Sequence, residues 1–96
     1  MTRYLSLLTF TDQGIRDVKQ TTQRADAFRK SVEAAGGKVV SQYWAIGDAD
    51  GCIVFEAPDD QVASTLLLSL GRLGNVRTRT LRVYDTKEFE KVLAKA

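Results

Sequence analysis

The chain has 96 residues, 44% hydrophobic and 27% charged, with 14 basic and 12 acidic side chains and a net charge of +2. That composition excludes a disordered chain and fits one folded domain over residues 1–96, which is expected to bury only roughly 60–65% of its unfolded surface. So small a charge imbalance exerts little non-specific pull on nucleic acid or an anionic membrane, and neither is expected as a partner.

Tyr4 to Phe10, aromatic and aliphatic without a breaker, reads as a strand. Thr11-Asp12-Gln13-Gly14 follows as a turn or ragged helix start. From Thr22 the apolar residues Ala25, Phe28, Val32 and Ala35 keep helical spacing, with Thr21 or Thr22 available as a cap, until Gly36-Gly37 stops the helix. Lys38 to Ile46 reads as a second strand. Strict alternation puts Val40, Gln42, Trp44 and Ile46 on one face and Val39, Ser41, Tyr43 and Ala45 on the other.

Gly47-Asp48-Ala49-Asp50-Gly51 is dense in turn formers and predicts a hairpin loop into the strand Cys52 to Ala57. Pro58-Asp59-Asp60 opens a helix whose stripe is Val62, Ala63, Leu66, Leu67 and Leu70, closed by Gly71 and Gly74. Val76 to Tyr84 is the fourth strand. Asp85 starts a final helix with Glu88 at the capping-box position and Phe89, Val92 and Leu93 on one face.

The order β, α, β, β, α, β plus a short helix predicts an α+β, ferredoxin-like βαββαβ fold, with both long helices on one side of a four-stranded antiparallel sheet. A sheet covered on one side alternates apolar with polar. Here Tyr4, Leu8 and Phe10 face one way and Leu5 and Leu7 the other, and the next two strands are also apolar on both faces. An uncovered apolar face of that size is unusual in a monomer, so a homodimer through sheet faces is expected. The competing reading is that the final helix alone covers that face.

Several segments, in register over the whole chain, resemble the GYD family of small bacterial proteins: Phe10-Thr11-Asp12-Gln13-Gly14-Ile15, Arg24-Ala25-Asp26-Ala27-Phe28, Gly36-Gly37-Lys38-Val39, Tyr43-Trp44-Ala45-Ile46-Gly47, Glu56-Ala57-Pro58-Asp59-Asp60, and Leu70 to Thr78. The resemblance implies the dimeric α/β-barrel superfamily, in which two ferredoxin-like sheets pack face to face, and implies no particular activity. The Gly-x-Tyr-Asp stretch that names the family maps onto Gly47-Asp48-Ala49-Asp50, with Ala49 in place of the tyrosine. A role of that tyrosine does not transfer.

Histidine is absent and Cys52 is the one cysteine. This removes the commonest general base and metal ligand, any Ser-His or Cys-His relay, a His-ligated haem and a zinc finger. No cofactor and no metal is expected. Asp48 and Asp50 near glycines lack the remaining positions of a cation loop. A lone cysteine allows no internal disulfide and suits a reducing compartment, and no apolar run approaches a signal peptide or a span of about 20 residues, so the expected location is the cytoplasm.

Two groups carry the functional expectation. Arg77 and Arg79, two apart on a strand, present guanidiniums about 6–7 Å apart on one face, spaced to grip a carboxylate or phosphate. The plain alternative is solvated arginines on a rim strand, with Arg72 and Arg82 nearby. Tyr43 and Trp44 point to opposite faces, where each is either core packing or the wall of a pocket for a small organic ligand. The expected function is a homodimeric module that binds or senses a small organic or anionic ligand. The alternatives are a cofactor-independent enzyme of oxygenase or isomerase type, and a purely structural protein.

Overall fold

The computed structural model describes residues 1–96. In chain order it holds β1 (Thr2–Phe10), α1 (Asp12–Arg16), a 3₁₀ turn (Val18–Gln20), α2 (Thr21–Ala34), β2 (Lys38–Trp44), β3 (Gly51–Ala57), α3 (Asp60–Arg72), β4 (Val76–Val83) and α4 (Thr86–Ala94). The strands form one antiparallel sheet in the order β2-β3-β1-β4, the ferredoxin-like arrangement.

Local chemistry sets the helix ends. Thr11 caps α1 by accepting from the Gly14 N–H, and Asp59 caps α3 by accepting from the Val62 N–H. Asp85 and Glu88 form a reciprocal capping box at α4. The helix α2 has no side-chain cap: it is entered from the 3₁₀ turn, and the Thr21 hydroxyl instead accepts from Trp44. Pro58 stands just before the α3 cap.

Both long helices lie on one face of the sheet. Phe28 and Val32 of α2 and Ala63 and Leu66 of α3 close over Tyr4, Ile53, Phe55 and Ala57. Phe55 is fully buried, stacked on Tyr4 at 5.3 Å and met edge-on by Phe28 at 5.8 Å. Burying a side chain of this class contributes about 1.5–3 kcal/mol. Ser6, buried in the sheet, shares a hydrogen bond with Thr80 at 2.8 Å. Gly14 is buried where α1 meets the start of β4: a Cβ there would lie 1.9 Å from the Asn75 carbonyl oxygen.

Strict alternation fails in β2. Val39 pairs with Phe55 and Ser41 with Val54, so Val40 is an extra residue in a bulge. Val39 therefore joins the core side rather than sharing a face with Ser41 and Tyr43, and Val40 leaves the set it forms with Gln42 and Trp44. Ile46 lies beyond the strand, in the hairpin loop.

α4 makes no extended packing against any strand. Its apolar residues Phe89, Val92 and Leu93 are 46, 42 and 59% exposed. The Cα radius of gyration is 14.2 Å, against about 12.5 Å for a compact chain of this length. The final helix does not cover the second sheet face.

Candidate functional site

The uncovered face is organised by strand register into rows. One row runs Lys38, Glu56, Arg3, Val83; the next Ser41, Val54, Leu5, Leu81; the next Tyr43, Cys52, Leu7, Arg79; and the last holds Thr9 and Arg77. The two middle rows are largely apolar. The first is charged, with Arg3 paired to Glu56 at 2.7 Å and to Asp85 at 3.6 Å. The Glu56 hydrogen bond raises the affinity of Arg3 for its proton, and the Glu88 N–H donated to Asp85 holds that carboxyl below the usual range.

Arg77 and Arg79 stand together on this face at one corner, exposed and in no ion pair. Tyr43 is on the same face, 65% exposed, in the row of Arg79 but on the opposite edge strand, about 14 Å away by strand spacing. Arg82 is on the core side, its guanidinium 4.2 Å over the Tyr84 ring and donating to the Arg3 and Val83 carbonyls.

Trp44 is on the helix side of the sheet. Its Nε1 donates to Thr21 at 3.0 Å, and it lines a small cleft of about 50 Å³ between the sheet and the helices α2 and α3. Phe28, Ile53 and Leu70 form apolar walls, and Arg24 and Asp50 are the charged residues. The structure thus brings Arg77 and Arg79 together and sets Trp44 apart from them by the thickness of the sheet. Arg24 donates to the Gly14 and Asp17 carbonyls, and Asp50 accepts the Phe10 N–H at 2.8 Å. The sequence alone does not show these roles, because their partners lie on other elements. No three Cys, Asp or Glu side chains converge with metal-ligand spacing.

The profile of the GYD domain matches residues 4–93. This chain belongs to the GYD domain family. A relative from Thermus thermophilus, named "Glutamine synthetase and cystathionine beta-lyase binding protein", is 32% identical over 90 residues, covering 93% of this GYD chain and 95% of the relative. Among solved structures, the leucine response regulatory protein LrpA of Mycobacterium tuberculosis superposes with a TM-score of 0.57 at 19% identity, over 88% of this chain and 51% of that one. A mutant of Rv3291c gives 0.58 at 17% identity, over 90% and 52%. The GYD chain spans about half the length of these two, and the likeness establishes the ferredoxin-like fold. Ala49 sits half-buried in the hairpin loop.

No helix is long and apolar enough to cross a membrane.

Proposed function

We propose that this GYD protein is a homodimeric binding module of the cytoplasm: two copies close their open sheet faces on each other, and each face carries an anion site at Arg77 and Arg79. The observation that carries this reading is the face itself, two apolar rows beside a corner where two arginines have no acidic partner. Covering the apolar rows lowers the local dielectric around the corner. There a guanidinium pair gains more from a bound carboxylate or phosphate than it would in open water. A thermal-shift screen of small carboxylates and phosphates, citrate and inorganic phosphate included, tests the site. Binding raises the melting temperature of the parent and not of Arg77→Ala/Arg79→Ala. An equal rise in both contradicts the anion site.

A second reading draws on the relative's name: the dimer docks on a metabolic enzyme such as glutamine synthetase or cystathionine β-lyase. Calorimetric titration of each purified enzyme into the dimer tests it, and no heat of binding with either removes it.

A further inference from the structure

We infer that α4 is a strap that crosses to the second copy and completes the dimer interface. This rests on the sheet-face dimer proposed above and goes beyond it in naming a second element of the interface.

The chain exposes 6562 Å², whereas a compact monomer of 10.6 kDa is expected to expose about 5,500 Å². The excess, about 1,100 Å², exceeds the roughly 800 Å² each partner gives to an interface of standard size. α4, with Phe89 and Leu93 46 and 59% exposed, is part of that excess.

The helix is formed but packs only lightly on the rest of the chain. Its nine residues are fewer than the about 12–15 at which an isolated helix is even marginal in water. A capping box holds its first turn, yet none of its residues is buried. Its apolar stripe extends through Tyr84, whose ring lies 5.9 Å from that of Phe89.

The base of the helix selects the occupant. Asp85 caps α4 and pairs with Arg3, which stands in the charged row of the open face. The strap therefore springs from the rim of the surface the partner covers, and the molecule is 48 Å along its longest axis, consistent with a helix held out from the body. A second copy seated on the open face lies beside this helix, and its exposed apolar surface is the surface within reach.

The test uses full-length chains. Sedimentation equilibrium compares the parent with Phe89→Asp/Leu93→Asp, whose substituted side chains are already exposed in the single chain and so leave its core intact. Amide hydrogen exchange of α4 is measured in the parent and in the sheet-face variant Leu5→Arg. The expected result is a dimer at least tenfold weaker in the double variant, with α4 amides protected in the parent dimer and unprotected in Leu5→Arg. A parent dimer with freely exchanging α4 amides, matched in strength by the double variant, overturns the strap and leaves the sheet-face dimer standing. A parent that is monomeric at every concentration overturns both.

Discussion

The Tyr4 hydroxyl donates to Asp60 Oδ1 at 2.5 Å, tying the first strand to the first residue of α3 across 56 positions of sequence. Thr2 holds the same phenol oxygen at 2.7 Å. The ring is buried against Phe55, so only the hydroxyl reaches the helix start, where the dipole of α3 favours the negative charge of Asp60.

Tyr4→Phe removes this tie without opening a cavity. The expected cost is about 1.5–3 kcal/mol, the range for a hydrogen bond to a charged group. For a chain of this size that is a melting temperature lower by about 4–8 °C per kcal/mol, measured at fixed protein concentration. An unchanged melting temperature means that water serves Asp60 as well as the phenol does.

The same phenol sets an alkaline limit. Burial raises its affinity for its proton, and the Asp60 hydrogen bond adds to the effect. A folded-state value above the ordinary 10.0 gives stability that is whole below that pH and is lost as pH rises through the folded value. Melting of the parent should therefore fall more steeply above pH 10 than melting of Tyr4→Phe. Parallel curves contradict this.

Asp85 sets the acid limit of α4. The Glu88 N–H, and then Arg3, hold its carboxyl below the ordinary 3.8. A depressed folded-state value gives stability present above 3.8 and lost as pH falls through the folded value. Far-ultraviolet circular dichroism should show helix content falling in that acid range in the parent. Asp85→Ala should show the reduced content at every pH.

Gly14→Ala places a methyl group on the Asn75 carbonyl, so α1 and the start of β4 must part. The expected loss is about 1–3 kcal/mol, the cost of overpacking a tight site. A loss of a few tenths, by denaturant titration, means that α1 shifts freely.

The element order, the helix stripes and the two-sided apolar character of β1 were legible because each rests on spacing within one segment. The side assignment of Tyr4, Leu8 and Phe10 against Leu5 and Leu7 follows from period two alone. The β2 bulge was not legible: Val39 and Val40 are chemically the same, and only pairing with β3 shows which one is extra. The Arg3–Glu56–Asp85 row and the Arg24 and Asp50 anchors depend on partners on other elements, the farthest being Arg3 and Asp85 at opposite ends of the chain. The placement of Trp44 away from Arg77 and Arg79 is the same lesson, since adjacent residues on a strand face opposite ways and only the packing of the helices tells which face is covered.

Sedimentation equilibrium of the parent and of Leu5→Arg at micromolar concentration tests the sheet-face homodimer most directly. Leu5 lies between Val54 and Leu81 in the centre of the open face. A charge there has no counterpart across a closed interface but stays solvated in a free chain. A sheet-face dimer gives a parent at twice the 10.6 kDa chain mass and a folded variant at the chain mass itself. A parent at 10.6 kDa, or a variant that dimerises as the parent does, contradicts it.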